Sequence, residues 1–163
     1  MHRRQLTLGL GAALAAPWAF GADFPSKPIR IVVPNAPGGA ADITARTVGE
    51  HMARTLGQPV VVENKPGAGG VVAGQQVAAA PPDGHQLLLI SSGTAVSEAL
   101  FKALPYDTLK AFTPVGLLAT FDLVIVAREG GEFKTLGELI AAAKAQPGKL
   151  NIGTPNIGTT QHL

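Results

Sequence analysis

The sequence predicts an α/β fold built on a parallel sheet, and three observations support this. Short runs of apolar, mostly β-branched residues recur in the first part of the chain. Each run is followed by a turn rich in Gly, Pro or Ser and then by a segment with helical periodicity. With 46% apolar and 15% charged residues, the composition is that of a globular chain. Strands that alternate with helices form parallel sheets with right-handed crossovers.

The first unit is the strand Ile29–Val33 with its following turn. The run is nearly all apolar, which favours a strand buried on both faces. Pro34 and Pro37 cannot continue a central strand, so a helix is expected after Gly39. Gly38 and Gly39 carry no Cβ and let a bound group approach the backbone, and we expect Gly39 at positive φ. The N–H groups at the helix start then predict an anion site, and a tight turn without a ligand is an equal alternative.

The second unit contains the strand Val60–Asn64. A glycine turn at 65–70 and a small-residue helix at 71–80 follow it. The turn opens a G-x-G-x-x-G pattern at Gly67, but Val72 occupies the last glycine position, so a dinucleotide-binding motif is not matched. The glycines instead favour a helix packed close to the sheet.

The third unit follows a Pro-Asp-Gly turn at 82–84 and has a strand at 86–90. A Ser-Ser-Gly-Thr segment at 91–94 then opens a helix that runs to Leu100. Hydroxyls at a helix start usually cap it. They also suit a ligand, because open α/β sheets place their sites outside the carboxyl ends of the strands. The loops after the first and third strands are expected at the same edge.

The rest of the chain contains further apolar runs at 115–119 and 123–127. The second run predicts a long buried strand that crosses between two lobes. Another strand is expected at 150–152, and a glycine and hydroxyl loop at 153–160. The sequence stops at Leu163, where the next helix should begin, which predicts a truncated chain.

A capping box lies between the two groups of predicted strands. Thr135 is the expected cap, with Glu138 three residues later, and Pro147 ends the helix. Its apolar residues are expected to face inward: Leu136, Leu139, Ile140 and Ala143.

The amino terminus reads as a secretory leader. A basic start at 1–4 precedes an apolar run at 6–16 that is too short to span a bilayer. Small residues predict cleavage after Gly21, with Ala22 as the alternative, and hence a periplasmic protein. The Arg3-Arg4 pair also resembles a twin-arginine signal. The remaining alternative is a cytoplasmic protein with an apolar amino-terminal helix.

Charge and composition exclude several function classes. Residues 1–21 hold two of the 13 Lys and Arg residues and none of the 11 acidic residues, so the remainder carries 11 of each. A neutral chain argues against nucleic acid. The sequence has no Cys, and its four His residues show no metal-ligand spacing. We therefore predict no metal site and no cofactor.

Several segments in combination resemble the Bug family, the extracytoplasmic solute receptors of tripartite tricarboxylate transporters. The matching segments are 23–30, 34–42, 57–70, 82–84, 104–107, 112–115, 147–151 and 161–163. The resemblance covers the whole chain but only about the first half of such a receptor. It implies a two-lobed periplasmic-binding-protein-like (type II) fold, here truncated, that closes on a small carboxylate without catalysis. Its implied partners are the membrane permease subunits of the transporter.

The resemblance also implies ligand-binding positions on three loops. They are Asn35, Ala36, Gly38, Gly39 and Asp42 on the first, Ser92 and Thr94 on the second, and Thr154 and Thr159 on the third. Asn35 and Ala36 stand where the family often has an aromatic residue and a proline. Pro155 and Asn156 replace a small residue and a glycine, so the identity of the carboxylate stays open.

The implied organisation is a leader at 1–21, an incomplete first lobe at 22–122, and a hinge strand with the beginning of the second lobe at 123–163. Self-association through an exposed edge of the first lobe is expected. The alternative function is a small exported hydrolase or other enzyme that uses Asp42 and Ser92. A G-x-S-x-G elbow is missing, and His85 should lie at the opposite end of the third strand from Ser92.

Overall fold

A computed structural model describes residues 23–154 and 161–162. The predicted leader, its cleavage site, Pro155, Asn156 and Thr159 lie outside the described residues. In chain order the strands and helices are β1 (Ile29–Val33), α1 (Ala40–Leu56), β2 (Val60–Asn64), α2 (Val71–Ala78), β3 (Gln86–Leu88), α3 (Ser92–Leu100), α4 (Thr108–Ala111) and α5 (Leu136–Ala145). A short 3₁₀ turn, Ala68–Gly70, leads into α2.

The three strands form the predicted parallel sheet, in the order β2-β1-β3. Val33 lies opposite Asn64 at the carboxyl end of β1, and Val32 lies opposite Leu88. The central strand is buried on both faces, as expected, with Val32 and Val33 at 0% exposure. The third strand ends at Leu88, two residues earlier than predicted, although the Leu89 N–H still donates to the Val32 carbonyl at 2.9 Å.

The glycine turn before α2 serves close packing, as predicted. Gly69 and Gly70 have φ of 62° and 100°, which L side chains rarely adopt. A Cβ on Gly69 would lie 2.5 Å from the hydroxyl of Ser97. That hydroxyl donates to the carbonyl oxygens of Gly69 and Gly93, at 3.1 and 2.8 Å, and Ser97 is fully buried. The turn is therefore joined to α3.

The amino-terminal segment is fastened to the turn that precedes β3. The rings of Phe24 and His85 lie 4.9 Å apart, and Lys27 forms an ion pair with Asp83 at 2.7 Å. The carbonyl of His85 accepts from the Arg30 N–H at 2.8 Å, where β1 and β3 begin to pair. This contact lies at the amino end of the strands.

The predicted strands after residue 112 do not form. Residues 115–127 and 150–152 have no regular secondary structure, and most of their apolar side chains are exposed: Val126 by 85% and Ile152 by 77%. A strand needs a neighbouring strand to pair its N–H and C=O groups. These segments have no such partner in the part of the chain that the structure describes. Apolar composition predicted strands here, but it does not supply the partner.

Helix α5 begins where the capping box predicts. Thr135 Oγ1 accepts from the Glu138 N–H at 3.2 Å. The Glu138 carboxylate accepts from the Lys134 N–H at 2.7 Å, one residue before the position expected for a capping box. The prediction that the apolar residues of α5 face inward is wrong for the described chain, since Leu136 and Ile140 are 59% and 44% exposed. No helix within the described ranges is both long and apolar enough to cross a membrane.

Candidate functional site

Two helices begin at the carboxyl edge of the sheet, each after one of two neighbouring strands. Helix α1 starts after the turn that follows β1, and α3 starts shortly after β3, which pairs with β1. At the N-caps, Gly39 has no side chain to offer, and Ser91 makes no side-chain cap hydrogen bond within the described residues. Helix starts carry partial positive charge and backbone donors, and this edge carries two of them.

The turn after β1 exposes its backbone. Ala36, Gly38 and Gly39 are exposed, whereas Asn35 is half-buried. Gly38, not Gly39, has positive φ: the values are +83° and −82°. The expectation for Gly39 was therefore wrong, because the left-handed residue precedes the N-cap. A Cβ on Gly39 would meet only the Ala36 carbonyl oxygen, at 3.8 Å.

Asp42 lies beneath this turn and is only 4% exposed. Its Oδ2 accepts from the Gly38 N–H at 2.8 Å, and its Oδ1 accepts from the Asn64 amide at 3.0 Å. Arg46, one helical turn later, lies 2.9 Å from Oδ1. The hydrogen bond from Arg46, followed by that from Gly38, lowers the pKa of Asp42 to about 2. The carboxylate is ionised and holds the turn from inside, so a direct contact with a ligand stays a prediction.

The second loop contributes an exposed and a buried residue. Ser92 is exposed at the first position of α3, whereas Thr94 is 1% exposed. The Thr94 N–H donates to the Ser91 carbonyl at 3.0 Å, and its buried hydroxyl finds no hydrogen-bond partner among the residues that the structure describes. That hydroxyl faces Gly70, where an added Cβ would come within 3.1 Å of it. Ser92 is thus placed to meet a ligand, and Thr94 packs behind it.

The third predicted loop is only partly described. Thr154 is half-buried in an irregular segment, and Thr159 lies outside the described residues. The structure therefore brings together the first two loops, and the contribution of the third stays a prediction.

Sequence reasoning missed Asn64, the last residue of β2. Its side chain reaches across to the neighbouring turn, where it contacts Asn35, Asp42 and Arg46. The available signal was a polar residue at the carboxyl end of an apolar strand.

The enzyme alternative finds no support in this arrangement. His85 lies at the amino end of β3 and Ser92 beyond its carboxyl end, as expected, so the imidazole is not placed to activate that hydroxyl. Within residues 23–154 and 161–162, no group of three or more acidic or His side chains is arranged to hold a metal ion.

Comparison with known proteins identifies relatives of this chain. The profile of the family described as "Tripartite tricarboxylate transporter family receptor" (TctC) matches residues 44–163. A UPF0065 protein of Bordetella pertussis is 46% identical over 99% of this chain and 49% of its own length. Protein BugT of the same species is 39% identical, over 93% of this chain and 47% of its own. The chain spans about half the length of these relatives.

Solved structures agree with the sequence matches. MatC of Rhodopseudomonas palustris, solved with bound malate, is 40% identical with a TM-score of 0.76, over 84% of this chain and 47% of its own. The periplasmic binding protein BugD is 36% identical with a TM-score of 0.73, over 85% and 46%. Rpa4515 of R. palustris, solved with adipate, has a TM-score of 0.71 at 26% identity, over 85% and 46%. The predicted periplasmic-binding-protein-like fold and Bug resemblance are confirmed, and the chain belongs to the tripartite tricarboxylate transporter receptor family.

Proposed function

We propose that this chain forms the ligand-capturing part of a periplasmic solute-binding receptor for a small carboxylate. The observation that supports this most is the pair of helix starts, α1 and α3, at one edge of the sheet beside the exposed backbone of residues 36–39. Backbone N–H groups at helix starts bind anions. Two helix starts at one edge can supply donors to both oxygens of a carboxylate. Relatives with solved structures hold malate and adipate.

The proposed contacts follow from exposure. Ala36, Gly38 and Gly39 are exposed residues of the first turn, where the Gly38 N–H is already bonded to Asp42, and Ser92 is an exposed residue of the second loop. Thr154 and Thr159 complete the site from the third loop. The receptor captures its ligand without catalysis and delivers it to the permease subunits of a tripartite transporter, in the periplasm after removal of the leader.

The test uses a chimera in which this chain replaces the matched half of the UPF0065 relative from Bordetella pertussis. Calorimetry with malate, adipate, amino acids and aromatic acids should show saturable binding of at least one carboxylate. The substitution Gly39→Val should abolish it, because a branched side chain then stands at the helix start while the fold has room for it. Gly116→Val, in an exposed segment with no atom within 4 Å of the added Cβ, is the matched control. Affinity unchanged by Gly39→Val would place the site elsewhere.

A further inference from the structure

Asn64 uses both ends of its amide to join β2 to the first turn. Its Nδ2 donates to the Asn35 carbonyl at 3.1 Å and to Asp42 Oδ1 at 3.0 Å. Its Oδ1 accepts from Arg46 at 2.9 Å. The orientation of the amide is determined by chemistry, since a guanidinium only donates and a carboxylate and a carbonyl only accept. At neutral pH, only an amide offers both a donor and an acceptor at these positions in a side chain of this size.

The network matters because the carboxylate of Asp42 lies just under the turn that we propose binds an anionic ligand. Asp42 carries full negative charge, with its pKa lowered to about 2. Unlike charges on the surface, a buried charge is poorly screened by solvent and salt. The Gly38 N–H, the Arg46 guanidinium and the Asn64 amide together surround both Asp42 oxygens. Three donors therefore compensate the negative charge of Asp42 beneath the turn.

We propose that Asn64 is a positioning residue of the ligand site, which holds the turn at Asn35 and keeps the charge of Asp42 compensated so that an anion can approach. This inference rests on the proposed function. Asn64 makes none of the proposed ligand contacts itself, and it acts through Asp42 and Arg46.

The main test is Asn64→Asp, which preserves size and puts a second carboxylate about 3 Å from Asp42. Two carboxylates at this distance resist double ionisation, so one pKa rises and the pair takes up a proton as the pH falls. The measured quantity is the malate Kd of the variant chimera divided by that of the unsubstituted chimera. This ratio should be about 10 at neutral pH, and it should fall toward one as the solution is acidified to about pH 5. Taking the ratio removes the ionisation of malate itself.

Gln75→Glu is the matched control, because it makes the same amide-to-acid change at an exposed position of α2. Its Kd ratio should stay near one at every pH. A ratio for Asn64→Asp that is near one, or raised equally at all pH values, would overturn the proposal. A loss of affinity with a purely structural cause would not depend on the protonation of the carboxylate pair.

A second readout needs no ligand and uses the same chimera. The Gly38 amide bonds to Asp42, so Asn64→Leu should speed its hydrogen exchange by about tenfold or more if Asn64 holds the network. The Ile43 amide, which bonds to the Gly39 carbonyl at 3.0 Å in the first turn of α1, is the internal reference. Equal change at both amides would overturn the positioning role. If the unsubstituted chimera binds no carboxylate, the proposed function fails, and the Gly38 exchange then decides the role of Asn64 alone.

Discussion

The phenol of Tyr106 lies directly against Gly74 of α2. A Cβ added to Gly74 would stand 2.1 Å from the Tyr106 hydroxyl oxygen and 2.4 Å from the ring carbon that bears it. The Tyr106 ring also meets Phe112 edge-on, with centroids 5.5 Å apart. Burial raises the pKa of Tyr106. The contact fastens the segment before α4 to the helix α2, and only glycine permits it.

The substitution Gly74→Ala should therefore destabilise the fold. Because the whole phenol must move, we expect a loss of about 1–3 kcal/mol in the free energy of unfolding, as for other overpacked sites. Gly137→Ala is the control, since it is also helical and the nearest atom to the added Cβ is 3.9 Å away. Chemical denaturation of both variants checks the prediction, which fails if the two behave alike.

The two glycines of the turn after β1 should differ in how much their substitution by Ala changes stability. Gly38→Ala should cost about 1 kcal/mol, because φ is +83° and an L side chain is strained there even with open space around it. Gly39→Ala should leave stability within about 0.5 kcal/mol, since its φ is −82° and the site has room. Thermal melts of the two variants give the comparison. The reverse order would mean that the turn has another conformation in solution.

Acid should weaken the contact between the amino-terminal segment and the turn before β3. The hydrogen bond from Lys27, then that from the His85 N–H, lowers the pKa of Asp83 from 3.8 to about 2. A depressed pKa contributes stability that is present above about pH 4 and is lost as the pH falls toward 2. Asp83→Asn should therefore lower the melting temperature at neutral pH. On acidification, the melting temperature of the variant should fall by less than that of the unsubstituted protein.

The melting temperatures of the unsubstituted protein and the Asp83→Asn variant should converge near pH 2. Asp122→Asn, at an exposed position, is the control. A constant difference at all pH values would show that the Asp83 charge does not contribute.

Export is predicted to remove the leader near Gly21. Amino-terminal sequencing of the periplasmic product should begin at or next to Ala22. Replacing Arg3 and Arg4 together by Lys should block twin-arginine export while leaving general secretion largely intact. An intact Met1 on a cytoplasmic product would contradict the prediction.

The exposed apolar run after α4 should make the isolated chain self-associate. Leu117, Val124 and Val126 are 84%, 79% and 85% exposed, and exposed apolar surface of this kind favours association. We expect purified residues 22–163 to elute as oligomers or aggregates, and to bind carboxylates weakly. Leu117→Asp combined with Val124→Asp should raise the monomer fraction in sedimentation measurements. A monodisperse monomer with a cooperative melt and micromolar affinity would contradict the prediction.

The sequence predicts the three strand-turn-helix units well because each carries its own signals. Ile29–Val33 is bounded by prolines, and α1 ends at Gly57 with φ of 69°. Local patterns do not reveal which residues meet across strands. Asn64 and Asp42 are far apart in sequence and touch only because β2 pairs in register with β1. For the same reason, apolar residues at 123–127 predicted a strand whose partner no local signal could supply.

The docking of Phe24 against His85 has a practical consequence. It fixes Phe24 at the amino end of the strands, the edge opposite the starts of α1 and α3. A tether attached ahead of Phe24, whether a biosensor linker, a fluorescent reporter or a bead, would leave the edge with the exposed turn unobstructed. Immobilisation through the amino terminus is thus the orientation in which this protein should be displayed for ligand screening.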